Sequence, residues 1–119
     1  MIVNMQQFFK KLEIKSDFNK IVEITDKVKN FVKESKLHNG LVNLSVLHTT
    51  ASLIIQENVD ENVILDLEKF FQDLVPTNSN YLHSFEGMDD MPAHIKSTLT
   101  NSNLTLSLLD SKLQLGKWQ

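Results

Sequence analysis

Hydrophobic and polar positions change period several times along this chain, and each change predicts an element. From Gln6 to Lys15 and from Phe18 to Thr25, segments rich in Phe, Ile and Val flank Ser16-Asp17, which predicts two strands joined by a tight turn. The first four or five residues are expected to fray. Thr25 reads as an N-cap, Val28, Phe31 and Val32 follow at helical spacing, and Lys36, His38, Asn39 and Gly40 supply stop signals, giving a short amphipathic helix. From Leu41 the period is two. Val42, Leu44, Val46 and His48 share one strand face, with Leu41, Asn43, Ser45 and Leu47 on the other. A second run, Ser52 to Glu57, puts Leu53, Ile55 and Glu57 on one side. Val63, Ile64, Leu67, Phe70, Phe71, Leu74 and Val75 then mark a helix with one broad buried stripe. Asn58 or Asp60 can cap it, and Asn58 with Glu61 has the spacing of a capping box.

Pro76 ends that helix, and a stretch without usable period runs to Met91, long enough in so small a domain to suggest a function. Pro92 predicts a helix start, with His94, Ile95, Thr98 and Leu99 forming up to about two turns. Leu104, Leu106 and Leu108 alternate with Thr105, Ser107 and Leu109, Asp110-Ser111-Lys112 makes a turn, and Leu113 and Leu115 begin a return strand. The order ββαββα, long loop, α, ββ predicts an α+β fold with mostly antiparallel pairing.

Composition narrows the classes. The chain has 119 residues, enough for one domain with a radius of gyration of roughly 13 to 14 Å. It is 41% hydrophobic and 23% charged, as expected of an ordinary globular protein. It has no cysteine, which excludes disulfides, thiolate metal sites and thiol nucleophiles together. Its twelve basic residues are all lysines and its net charge is −3, so it lacks the arginine-rich face of a nucleic-acid binder and any guanidinium clamp for phosphate. No apolar run approaches the ~20 residues of a membrane helix, and nothing at the N-terminus resembles a targeting signal. The expected setting is cytoplasmic, with neither nucleic-acid nor membrane partners.

Three of the four histidines lie beside acidic or hydroxyl residues at element ends: His48 before Thr49-Thr50, His83 before Glu86, and His94 four residues after Asp90. Imidazole is the commonest neutral metal ligand and titrates near physiological pH, so a convergent set can bind a divalent cation or move protons. Each also admits a structural role. His48 suits a strand end bonded to a neighbouring backbone group, His83 and Tyr81 suit a solvated loop, Asp89-Asp90 suits the N-terminus of a helix, and His38 suits a helix C-terminus. No G-x-S-x-G, H-E-x-x-H or glycine-rich phosphate loop is present, the glycines being Gly40, Gly87 and Gly116.

The motifs themselves carry a resemblance. His48-Thr49-Thr50-Ala51-Ser52-Leu53, Glu57-Asn58-Val59-Asp60, Phe70-Phe71, Val75-Pro76, Asn80-Tyr81-Leu82-His83, the run from Glu86 to Ser97, and Gly116-Lys117-Trp118-Gln119 resemble the YjbQ family, in order, from about residue 40 to the last residue. The resemblance implies a mostly antiparallel β-sandwich with two main helices and a short third, forming homotrimers with a His-containing pocket near the subunit boundaries. It implies a secondary thiamine-phosphate synthase activity: condensation of hydroxymethylpyrimidine diphosphate with a thiazole phosphate, releasing pyrophosphate, as a side activity. The alternative is a homo-oligomeric protein that binds a metal or phosphate ligand without turnover.

Carried onto this sequence, the resemblance puts His48, His83, His94, Glu57, Asp60 and Glu86 in catalytic roles. Thr49, Asn58, Asp90, Lys96 and Gln119 become substrate-binding candidates, and His48, His83 and His94 candidate ligands of a divalent metal ion. The substrate is a small phosphorylated molecule. Without arginine, its leaving oxygens fall to a metal, a protonated His, Lys96 or the helix amides near Pro92. Family members continue past the Gly-x-Trp-Gln motif into a further strand, so residues 1–119 are expected to be a single domain truncated at its C-terminus and less stable than full-length relatives.

Overall fold

A computed structural model describes residues 4–119; part of the expected frayed start, residues 1–3, lies outside them. The elements are α1 (Thr25–Ser35), β1 (Gly40–Ser45), α2 (Glu61–Leu74), α3 (Asp90–Leu99), β2 (Asn103–Leu109) and β3 (Lys112–Leu113). The three strands form one antiparallel sheet in the order β1-β2-β3. The α+β class follows directly from this arrangement.

Alternation along the strands decides which face is covered. Val42 stands opposite Leu106 and Leu44 opposite Leu104, so the apolar side chains of both strands share a face. On the other face Leu41 pairs with Ser107 and Asn43 with Thr105, whose hydroxyl accepts a hydrogen bond from the Asn43 amide at 3.0 Å. α1 lies on the apolar face. Its Val28 and Val32 meet Val42 and Leu108 in the buried core, with Ile24, Phe31, Leu37, Leu44, Leu106 and Leu113 packed around them. The β2–β3 connection is a two-residue turn in which Asp110 and Ser111 both have positive φ, the backbone that matches the twist of a hairpin. His38 and Asn39 pin it: the Ser111 N–H donates to the His38 carbonyl at 2.8 Å and the Asp110 N–H to Asn39 Oδ1 at 3.1 Å.

α2 starts at the cap expected of Asp60, whose carboxylate accepts from the Asn62 N–H at 2.9 Å. The capping box does not form, because Asn58 is engaged elsewhere: its amide donates to Glu23 and its N–H to the Trp118 carbonyl, both at 2.9 Å. Buried Glu68 accepts the Ile21 N–H at 2.8 Å and ties α2 to the N-terminal segment. The apolar stripe of α2 is only partly covered; Val75 is buried, whereas Phe70 and Leu74 remain more than half exposed.

Several expectations are revised. Residues 4–24 form no strand ladder, although Leu12 and Ile14 are half-buried between exposed Lys11, Glu13 and Lys15. The predicted turn survives one or two residues later, with the Lys20 N–H on the Asp17 carbonyl at 3.2 Å. Residues 52–57 contribute a single bridge, Leu53 to Asn101. Thr25 is the first helical residue of α1 and Ile24 its uncapped N-cap. α3 begins at Asp90, two residues before the expected start, because proline is tolerated throughout a helix's first turn, where its missing N–H has no intrahelical partner. At 10 residues α3 nearly equals α1 at 11. The radius of gyration is 17.1 Å, above the 13 to 14 Å of a compact domain, and the molecule is elongated at 61 × 31 × 22 Å. No helix among the described residues is long and apolar enough to cross a membrane.

Candidate metal centre

The long loop after Pro76 folds on itself before it reaches α3. Tyr81 donates its hydroxyl proton to the Pro76 carbonyl at 2.7 Å, and Gly87 turns the chain with φ of 115°. A side chain at Gly87 would be strained by that φ and would meet the Asp89 carboxylate at 3.0 Å. The loop thereby carries His83 back over the first turn of α3. Asp90 and His94 stand one helical turn apart, on the same face of α3.

The three side chains converge. His83 Nε2 lies 2.6 Å from Asp90 Oδ2, and His94 Nε2 lies 3.2 Å from the same oxygen. The imidazole rings meet edge to face, with centroids 5.4 Å apart. One donor atom from each of His83, Asp90 and His94 falls within 4.8 Å of the others, the one such grouping of His, Asp and Glu among the described residues. All three are half-buried. The hydrogen bond from His83 holds the Asp90 carboxyl below its ordinary 3.8, with the nearby His94 and Glu86 adding to the effect and desolvation opposing it. Glu86 stands farther out, 4.0 Å from His83 Nε2. A cleft of ≈ 300 Å³ adjoins His83, its wall including Thr77, Ser79, Ser84 and Met88.

Two imidazole nitrogens and one carboxylate oxygen are donors of the kind that can hold a divalent ion. The 3.2 Å separation of Asp90 and His94 is near the roughly 3.3 Å between donors around a tetrahedral ion bound at about 2 Å, while the three donors together lie within 4.8 Å of one another. The shorter His83–Asp90 contact is a hydrogen bond.

The other candidates are dispersed. His48 is exposed three residues beyond the end of β1, outside the cluster, and Asp90 supplies the third donor in its stead. Thr49 is likewise exposed, and Glu57 is half-buried away from the group. Asp60 caps α2 and Asn58 bonds Glu23, as described. The Lys96 ammonium lies 4.6 Å from the Phe18 ring centre and donates to Asn19, and burial lowers its pKa from 10.5. Gln119 accepts the Gly116 N–H at 2.5 Å and closes a local turn. The resemblance puts Asp90 among the substrate-binding candidates, whereas the structure sets it among the donor atoms. The four-residue spacing of Asp90 and His94 is visible in the sequence; that both lie on one helix is not, because Pro92 points to a later start.

An antiparallel sheet covered by one helix, with a His/carboxylate cluster between a long loop and a second helix, defines a small α+β protein with a candidate metal centre. The chain belongs to the UPF0047, YjbQ-like family, whose sequence profile matches residues 10–119. A UPF0047 protein of Synechocystis is 48% identical over 94 residues, which are 78% of this chain and 64% of that protein. The chain thus matches less than two thirds of that relative's length. YjbQ of Salmonella typhimurium is 45% identical over 97 residues, 82% of this chain and 68% of the relative. Among solved structures, an uncharacterized YjbQ/UPF0047 family protein from Clostridium acetobutylicum superimposes with a TM-score of 0.80 at 33% identity, covering 89% of this chain and 81% of that one.

Proposed function

We propose that this protein binds a divalent metal ion through His83, Asp90 and His94 and acts there on a small phosphorylated substrate in the cytoplasm. The reaction is the one the family resemblance implies: joining hydroxymethylpyrimidine diphosphate to thiazole phosphate with release of pyrophosphate. The observation that supports this reading is the convergence of three donor atoms of the right chemistry within 4.8 Å, beside an open cleft. A metal bound there supplies positive charge to the phosphate oxygens, a need that is acute in a chain with no arginine. Asp90, its carboxyl held below the ordinary range, supplies the anionic donor beside both imidazoles. Thr77, Ser79 and Ser84 line the cleft, and a hydroxyl is a donor suited to phosphate oxygens.

The test pairs metal content with turnover. Thiamine phosphate formation is expected to stop on metal removal, return on adding metal back, and be lost together with metal binding in a His83→Ala/His94→Ala variant. Undiminished formation in that variant refutes the site. Metal binding without turnover refutes the reaction and leaves a binding protein.

We also infer a homo-oligomer, the trimer of the family resemblance. A folded monomer of 13.7 kDa exposes about 6,600 Å². This chain exposes 9387 Å², an excess of roughly 2,800 Å², which falls in the range covered by obligate interfaces. Leu41 and Leu47 are each more than three-quarters exposed. Monomeric behaviour in light scattering across a wide concentration range would contradict the inference.

A further inference from the structure

At the end of the sheet away from α3, the structure brings together a second group of polar side chains. Lys29 and Lys33 stand one helical turn apart on α1, Lys36 follows as its C-cap residue, and Lys112 reaches the same cleft from the start of β3. The cleft has a volume of ≈ 490 Å³, within the range of small-molecule sites. His38 and Ser111 complete the polar rim and are bonded to each other, Nδ1 to Oγ, at 2.5 Å. Val32, Leu37 and Leu113 make an apolar floor continuous with the core.

The charge arrangement is not what the surface as a whole would provide. The chain carries 15 acidic residues against 12 lysines, yet none of the residues lining this cleft is acidic. Among the described residues, none of the four lysines makes an ion pair; the lysine pairs are Lys10 with Glu34 and Lys69 with Asp73. The helix dipole accounts for Lys33 in the last turn of α1. It does not account for Lys29, nor for Lys112 on a separate hairpin. That hairpin is fixed in place by the His38 and Asn39 bonds to the Asp110-Ser111 turn, so Lys112 faces α1 from a preorganised position.

We propose that this cleft is a binding site for a small organic anion bearing more than one phosphate group, separate from the His83–Asp90–His94 centre. Unpaired ammonium groups contributed from two elements suit several negative oxygens spread over more than one phosphate better than a single monovalent group. Lysine, a point charge with three donors, serves such a ligand without a guanidinium fork. The aliphatic floor accommodates the organic part. The two sites share no lining residue.

Binding of inorganic pyrophosphate and of ADP to the full chain, measured by calorimetry in the presence of EDTA and at low ionic strength, tests the proposal. Saturable binding that weakens with added salt is expected, with ADP the tighter of the two because it uses the floor. A Lys33→Gln/Lys112→Gln variant, which removes one charge from each element, is expected to lose about tenfold or more in affinity for both. A His83→Ala/His94→Ala variant is expected to bind as the unmodified chain does. Absence of saturable binding overturns the proposal, as does affinity unchanged by the lysine substitutions. Loss of binding in the histidine variant also overturns it, by moving the anion to the other site. Preference for an acidic peptide over both phosphates would assign the cleft to a macromolecule and reject the small-anion reading.

Discussion

Replacing Asp90 by asparagine is the sharpest probe of the candidate metal centre, because it removes charge while preserving shape. In the folded chain Asp90 Oδ2 is the common neighbour of both imidazoles, 2.6 Å from His83 and 3.2 Å from His94. The amide oxygen of Asn can still accept a hydrogen bond from His83, so the loop and α3 retain their contact. What is lost is the only anionic donor of the three, leaving two neutral nitrogens to hold a dication. Substituting groups that merely orient metal ligands costs about 10- to 100-fold in affinity, so removing a direct anionic donor is expected to cost about 100-fold or more. Competition against a chromophoric chelator, with zinc as the probe, reads that change directly. Circular dichroism spectra are needed to show that the variant is folded.

Two further substitutions give the measurement its contrast. Glu86→Gln removes a carboxylate that stands 4.0 Å from His83 and is expected to weaken zinc by no more than about tenfold. His48→Ala, exposed and outside the cluster, is expected to leave affinity unchanged within this chain. An Asp90→Asn protein that binds zinc as tightly as the parent would refute the centre. So would a His48→Ala variant as impaired as His94→Ala, since the third ligand would then be the histidine the sequence first suggested.

Acid titration offers an independent check: the Asp90 carboxyl is held below 3.8 in the folded chain, so its contribution to stability is complete above that value and lost as pH falls through the depressed one. Denaturation curves of the parent should therefore fall more steeply with acid below pH 3.8 than those of Asp90→Asn, and parallel curves would count against the His83–Asp90 bond. Leu108→Ala empties the centre of the core, where Leu108 is 6% exposed, and is expected to cost ~2–5 kcal/mol in urea unfolding. A cost under about 1 kcal/mol would show that the α1–sheet core is looser than its burial indicates. Asp60→Ala removes the cap of α2 and is expected to cost about 1 kcal/mol without affecting zinc affinity; an equal loss of zinc binding would assign Asp60 to the site rather than the cap.

Helices were legible because their signal is local. α2 shows its stripe from Val63 to Val75, and Asp60 its cap, whatever the rest of the chain does. Strands were legible where alternation coincided with pairing, as in β1, β2 and the hairpin to β3, and misread elsewhere, because alternation reports one-sided burial rather than pairing. Leu12 and Ile14 alternate with charged neighbours and are half-buried as that pattern requires, yet residues 4–24 find no ladder partner. The YjbQ-like motifs located the segment from Glu86 to Ser97 that holds Asp90 and His94, but spacing alone does not bring His83 onto α3. That depends on the Gly87 turn and on Tyr81 reaching back to Pro76.

His48 shows where pattern yields to register. Its assignment to the apolar face extended a period of two from Val42 through Val46. That parity holds only while the strand is paired, and pairing is set by the partner: β2 begins at Asn103, which stands opposite Ser45. One further hydrogen bond, from the Val46 N–H to the Ser102 carbonyl at 2.9 Å, follows, and the ladder then stops. Beyond it the backbone is released from the pleat, and His48 emerges exposed. Asp90 became a candidate ligand for the converse reason: α3 starts early enough to include it, and helical geometry then fixes its distance from His94. In both cases the end of an element, more than the residue type, determined which side chain the site could recruit.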